Sequence, residues 1–479
     1  MKRTIRLTAI LALVLSLWTV PALAKPDWPS DTGVQSEAGI VVDMDSGTVL
    51  FGQNIHVQEI PASITKILTA LVVIENSDLD DAVTFSYDAV YNVEEGSGNK
   101  LQIEEGDVLT VRECLYLMLL QSSNQAANAL AEHVGGSRDG FVDMMNAKAA
   151  ELGCTESHFA NPSGLNDDTQ RTTAYDMSII ARAAYRNPTL LEINSATEAQ
   201  LPPTANRPNG TTYYMEHKLL VTDDPSSETY YPDAIAGKTG YTSQAGQTLV
   251  TYARRGDRGQ ITVTLKSTDK THYSDTITLM EFGFNRFYNL NISENETEYV
   301  TGSNAVELGG ASYMPSELYY DSSAVLTLPN DSVFADAEKS LVTDLPEDSP
   351  ENAVALMSYT YNERQIGQAF LLTTREESPE TEGPATPAAA DSQGNQTPPQ
   401  GGEGMLSALS GNIFLIGGTI VLAAIIVGIL LIWRGIQEKK ERERMRIRRE
   451  KRRQRLADIG CSEEEFARLL EERRKKHDQ

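Results

Sequence analysis

The strongest constraint on this chain is an uncharged run of 21 residues, Ile413 to Trp433, near its C-terminal end. At about 1.5 Å of rise per residue, a helix of that length crosses a hydrocarbon layer of about 30 Å. Trp433 stands at its inner edge, where an amphipathic ring settles. Such a segment divides a chain into parts that meet different solvents, so the two sides are read separately. Beyond it, Arg434 to Gln479 carries 17 Lys+Arg against 11 Asp+Glu, a net +6. A positive flank stays inside. The expectation is a single-pass cell-membrane protein, with 412–433 as the transmembrane helix and 434–479 as a basic cytoplasmic tail. The cluster Arg442 to Arg455 directly follows the span, which fits anionic membrane lipids as partner; no nucleic acid is expected.

At the other end, Lys2, Arg3 and Arg6 precede an apolar run from Leu7 to Val20 and then Ala22-Leu23-Ala24. This pattern predicts a secretory signal peptide over 1–24. Residues 25–433 then lie on the extracytoplasmic side and carry a net −35, although the whole chain sums to −26. Three cysteines are too few for a disulfide scaffold, and their spacing suggests no structural zinc. Cys114 and Cys154 are the only pair on the outer side, so at most one disulfide is available there.

The exported part divides by pattern. Residues 376–411 are dominated by Pro, Glu, Thr, Gln and Gly, the composition of a disordered linker. In 25–296, strand and helix signals alternate. Gly39 to Met44 and Thr48 to Gly52, joined by Asp45-Ser46-Gly47, predict a hairpin, and Thr248 to Ala253 with Ile261 to Leu265 predict another. Pro61 opens an apolar helix running to Ile74, and Thr110 with Glu113 forms a capping box ahead of Cys114 to Leu120. A further helix stops at Gly135-Gly136, and Thr173 opens one that ends before Asn187-Pro188. The fold class is α+β, an antiparallel sheet with helices. In 297–375 the strand-like runs Ala324 to Leu328, Val354 to Tyr361 and Ile366 to Thr373 predict a small β-rich domain.

The chemistry is legible in three short motifs. Six histidines show neither HExxH nor a zinc spacing, so the search turns to a lysine base. Ser-x-x-Lys on a helix brings an amine beside a hydroxyl. It occurs three times, at Ser63/Lys66, Ser97/Lys100 and Ser267/Lys270, and only the first opens an apolar helix. A lysine acts as a base only when neutral, which requires a pKa about three units below its reference and costs about 4 kcal/mol of destabilised ammonium. Burial and a second cation would achieve this, and Lys238-Thr239-Gly240 supplies the cation at the end of a strand-like run. Ser122-Ser123-Asn124, at a break between helices, adds a hydroxyl that can relay a proton and an amide that can hold a carbonyl. No metal or cofactor is expected.

These motifs occur as Pro61-Ala62-Ser63-Ile64-Thr65-Lys66, Ser122-Ser123-Asn124-Gln125, Asn161-Pro162-Ser163-Gly164-Leu165 and Lys238-Thr239-Gly240-Tyr241-Thr242. In this order they resemble those of the serine-type D-alanyl-D-alanine carboxypeptidases, the low-molecular-mass penicillin-binding proteins. The likeness covers roughly 36–290. It implies a β-lactamase/transpeptidase-like catalytic domain and removal of the terminal D-alanine from peptidoglycan stem pentapeptides, with β-lactam antibiotics as covalent ligands. It further implies Ser63 as the acylated nucleophile, Lys66 as its base, Ser122 as a proton shuttle and Asn124 as a substrate contact. Lys238, Thr239 and Gly240 would hold the substrate's end, and the amides of Ser63 and Tyr241 the oxyanion. One position departs: where relatives usually carry an arginine before an aromatic-Gly-Phe helix end, this chain has His272, with Lys266 and Lys270 as possible substitutes. Two other functions compete. A β-lactamase would need a Glu-x-x-x-Asn element, and the nearest analogue pairs Asn194 with Leu190. A penicillin-binding sensor that acylates without turnover is the other alternative.

Overall fold

The computed structural model describes residues 25–93, 97–346 and 349–375. The signal peptide, linker, transmembrane helix and basic tail expected from the sequence lie outside the described residues. Among the described residues, no helix is long and apolar enough to cross a membrane.

A five-stranded antiparallel sheet organises the larger lobe. Its strands are β1 (Ala38–Asp43), β2 (Val49–Gln53), β3 (Ala234–Thr242), β4 (Gly246–Arg255) and β5 (Arg258–Ser267), in spatial order β2-β1-β5-β4-β3. The expected hairpins are the β1–β2 and β4–β5 pairs. Strand β1 is buried along its whole length because both faces of the sheet are covered. Ile40 and Val42 join the main helical core, while Val41 between them meets Leu279 and Phe282 of a helix on the opposite face. This is the period-two alternation of a strand. The opposing helix, His272–Arg286, is the only long helix on that side among the described residues.

The helical layer contains α1 (Lys66–Asn76), α2 (Val111–Leu120), α3 (Asn124–Gly135), α4 (Arg138–Glu151), α5 (Ala174–Arg186) and α6 (Pro188–Ser195). Local chemistry sets their ends. Thr110 and Glu113 form a reciprocal capping box on α2, and the Thr173 hydroxyl accepts from the Asp176 amide to start α5. Gly136 closes α3 in a left-handed conformation. The helix expected from Pro61 differs in detail. Ala62–Thr65 is a 3-10 turn and α1 begins only at Lys66; Ala62 adopts φ +52°, outside the right-handed helical region, so no helix runs on from Pro61.

A second antiparallel sheet takes strands β6 (Phe287–Asn291), β7 (Leu318–Tyr320), β8 (Val325–Pro329), β9 (Glu338–Val342), β10 (Ala353–Tyr361) and β11 (Arg364–Thr373). It begins before the expected boundary at 297, since β6 pairs with β8 from Phe287 onward. Its core is formed by Leu326, Leu328, Met357, Tyr359, Ile366 and Leu371. The β1–β2 turn joins this sheet through hydroxyls: Thr48 Oγ1 donates to the Ile366 carbonyl at 2.8 Å, and Ser46 Oγ lies 2.7 Å from Thr327 Oγ1. Cys114 and Cys154 are both buried free thiols, with burial holding both well above the usual thiol range.

Candidate active site

Ser63 occupies the 3-10 turn ahead of α1, and this geometry suits its spacing to Lys66. In a 3-10 turn, residues i and i+3 eclipse one another. Lys66 Nζ accordingly lies 3.0 Å from Ser63 Oγ. The lysine is fully buried, and its ammonium nitrogen also donates to Asn124 Oδ1 at 2.7 Å and to the Ser163 carbonyl. The oxygens at these distances are all neutral.

Three other segments converge on the same point. The break between α2 and α3 carries Ser122, held at φ +58°, and Ser123, whose hydroxyl caps α3 at the Ala126 amide. A left-handed conformation at a non-glycine residue costs of order 1–3 kcal/mol and survives where the surroundings fix it. Asn161 folds the next loop over the base: its Oδ1 accepts from Ser163 Oγ and the Gly164 amide, and its Nδ2 donates to the Leu165 carbonyl. That loop presents its Ser163 carbonyl to Lys66.

The third segment is β3. A β-carbon on Gly240 would stand 2.9 Å from the Ser63 amide nitrogen and 2.3 Å from Thr248 Oγ1. The glycine therefore lets the strand close on the nucleophile's own turn. Thr248 Oγ1 ties the two segments by donating to the Pro61 carbonyl at 2.8 Å. Lys238 is buried beneath the strand, with Nζ donating to the Thr239 carbonyl at 2.8 Å. Burial pushes its pKa down to about 8; the Glu216 carboxylate works against that shift and Lys100 adds to it. His217, packed behind Gly237, is pushed down to about 3 by burial and by the Lys238 charge, so it is neutral near pH 7.

The resulting cleft has a volume of about 310 Å³. Ser63, Ser122, Asn124, Thr239, Gly240 and Tyr241 line it, with the Tyr241 ring 63% exposed at its rim. Six of the residues expected from the sequence thus line one cleft; Lys66 reaches it through its contact with Ser63, and Lys238 is buried next to Thr239 in the strand that walls it. The geometry offers a hydroxyl, a buried amine in contact with it and a buried cation nearby, the parts needed for acyl transfer to serine.

Several features escaped the sequence reading. Ser97 and Lys100, a Ser-x-x-Lys pair that opens no apolar helix, are at the site: Asn124 Nδ2 donates to Ser97 Oγ at 2.9 Å, and Lys100 lines the cleft. Glu216 lines it too, paired with Lys100 at 2.9 Å. None of the three candidates for the missing arginine lines the cleft. His272 Nδ1 lies 2.9 Å from the Thr268 carbonyl with its ring against Tyr273, Lys266 pairs with Glu59 at 3.5 Å, and Lys270 is exposed. Asn194 is also off the cleft. It is fully buried, and its Oδ1 accepts from the Gly237 amide and the Tyr185 hydroxyl.

Comparison with known proteins places this arrangement. A family model described as D-alanyl-D-alanine carboxypeptidase matches residues 25–269. The chain is 37% identical over 265 residues to the D-alanyl-D-alanine carboxypeptidase DacB2 of Mycobacterium tuberculosis, covering 54% of this chain and 84% of that one. It is 29% identical over 293 residues to the D-alanyl-D-alanine carboxypeptidase DacF of Bacillus subtilis, covering 60% and 72%. Among solved structures, penicillin binding protein 6B from Escherichia coli superposes with a TM-score of 0.54 at 25% identity, covering 73% of this chain and 98% of that one.

Proposed function

The chain belongs to the D-alanyl-D-alanine carboxypeptidase family, the low-molecular-mass penicillin-binding proteins, and from that premise we propose how its cleft works. The enzyme is a serine peptidase that removes the terminal D-alanine from peptidoglycan stem pentapeptides. The observation that carries the assignment of roles is the 3.0 Å approach of Lys66 Nζ to Ser63 Oγ on the floor of a cleft walled by Thr239 to Tyr241.

In the first half-reaction, the neutral Lys66 amine takes the Ser63 proton as Oγ attacks the carbonyl of the penultimate D-alanine. The developing oxyanion is held by the backbone amides of Ser63 and Tyr241. Collapse breaks the peptide bond; the proton passes through Ser122 Oγ to the leaving nitrogen, and D-alanine departs. Asn124 holds the acyl portion, while Lys238 and Thr239 hold the departing residue's carboxylate. In the second half-reaction, water attacks the ester, Lys66 accepts its proton, and Ser63 regains its own. A β-lactam acylates the same Ser63 oxygen by opening its ring, which leaves no departing fragment.

We place the catalytic lobe on the extracytoplasmic face of the cell membrane, joined through the small β-rich domain and a linker to the C-terminal transmembrane helix. The support is the uncharged run Ile413 to Trp433 and the basic residues beyond it, together with the export pattern at residues 1–24. Ser63→Ala is expected to abolish both D-alanine release and covalent penicillin labelling, and mass spectrometry is expected to map the adduct to the peptide containing Ser63. Persistence of either activity removes Ser63 from the mechanism.

A further inference from the structure

Two charged residues of the cleft have no task in the reaction above. Lys100 and Glu216 both line it and pair with each other at 2.9 Å. Their side chains are 69% and 34% exposed, and an ion pair this open adds little to stability, too little to explain its place as a structural brace. Both fields reach Lys238, one favouring its ammonium and the other opposing it. The three charges therefore form one cluster with a net charge of +1. The position of Glu216 is fixed by the fold, since its amide donates to the Leu120 carbonyl at the end of α2, just before Ser122.

Lys100 and Glu216 share the cleft with Thr239, which on the reading above holds the terminal carboxylate together with Lys238, so the cluster faces the end of the peptide that carries negative charge. Glu216 on its own would repel that charge, and Lys100 cancels the repulsion. Lys100 is also mobile enough to change partners, being a long side chain held by one exposed contact. His272, Lys266 and Lys270, named above at the position where relatives carry an arginine, do not line the cleft. Resting on the carboxypeptidase reading, we propose that the Lys100–Glu216 pair determines selectivity for substrates with a free terminal carboxylate: Lys100 exchanges Glu216 for the incoming carboxylate and holds it together with Lys238. Glu216 keeps Lys100 at the cleft while it is empty.

The test uses the full chain at pH 7 and two peptides that differ only at the C-terminus, one ending in D-alanyl-D-alanine and the other in D-alanyl-D-alaninamide. Lys100→Gln is expected to raise KM for the free acid about fivefold, the size of one partly exposed charged contact. KM for the amide is expected to change less than twofold, and Lys100→Arg to restore the acid. Glu216→Gln, which removes the competing carboxylate, is expected to lower KM for the acid. Equal effects of Lys100→Gln on both peptides, no effect on either, or a raised KM in Glu216→Gln would overturn the proposal, while D-alanine release by the unsubstituted chain would still support the carboxypeptidase reading. If the unsubstituted chain released no terminal residue from either peptide, both would fall.

Discussion

Gly164 packs so tightly against Ala62 that a β-carbon on it would stand 1.9 Å from the Ala62 carbonyl oxygen. Its φ of +82° independently disfavours any side chain. The contact holds the Ser163 carbonyl over Lys66 and the Ala62 turn under Ser63, so one position controls both partners of the nucleophile. Gly164→Ala must push the loop away or distort the turn. The expected result is a loss of at least 1 kcal/mol of stability, roughly the range for strain at special backbone positions, with a fall in penicillin acylation rate of more than about tenfold. Thermal melting and stopped-flow labelling measure the two. An unchanged acylation rate would show that the Ser163 carbonyl does not position the base.

Lys238 gives a pH dependence whose sign can be worked out. Its ordinary pKa of 10.5 falls to about 8 in the folded protein because burial disfavours the charged form. Between those values the unfolded chain binds more protons than the folded one, so this group's contribution to stability rises with pH across that window. Its grip on an anion does the opposite and is lost as pH rises through about 8. For a peptide with a free carboxylate, kcat/KM is expected to decline with an apparent midpoint near that pH. Lys238→Arg keeps its charge throughout and is expected to move the decline upward; a limb that stays in place belongs to another group.

Asn124 is oriented from both ends, accepting from Lys66 Nζ through Oδ1 and donating to Ser97 Oγ through Nδ2. The second bond fixes which end of the amide faces the base. Asn124→Ala is expected to slow acylation about 100-fold, within the range for losing support of a general base. Ser97→Ala leaves the amide in place but free to rotate, and a loss of only a few-fold is expected. Rates of labelling by a fluorescent penicillin distinguish the two, and a Ser97→Ala defect as large as that of Asn124→Ala would make Ser97 a participant in its own right.

The ease with which the site was read depended on how local its determinants are. Ser63 and Lys66 are adjacent in space because they are three residues apart in one turn, and Thr110 with Glu113 caps a helix through neighbours alone. Such contacts need no tertiary information. The 3-10 turn at Ala62 was not legible, because nothing in Pro61-Ala62-Ser63 signals a left-handed alanine; Gly164 and Thr248 impose it from far along the chain. Ser97, Lys100 and Glu216 escaped for the same reason. They reach the cleft through a polar loop and a segment after α6 whose positions depend on packing, while their local sequence resembles ordinary surface. A single sequence also does not show which cations face the cleft: Lys100 does, whereas His272, Lys266 and Lys270 do not.

The fate of a bound penicillin follows from the carboxylates at hand. Among the described residues lining the cleft, Glu216 is the only one, and Lys100 occupies it. The position that would supply a deacylating glutamate relative to Asn194 is Leu190, fully buried in the core, and Asn194 itself braces the Gly237 amide from behind the strand. No carboxylate is therefore placed there to activate water against the acyl-enzyme. Nitrocefin is expected to give one equivalent of rapid product followed by slow release, read as a burst in absorbance. Leu190→Glu is expected to lower the melting temperature sharply without raising the steady rate, because burying an unpaired carboxylate costs several kcal/mol. Fast, sustained nitrocefin turnover by the unsubstituted chain would instead mean that Lys66, the base proposed for the peptide ester, also activates water against the penicilloyl ester, and would favour the β-lactamase reading.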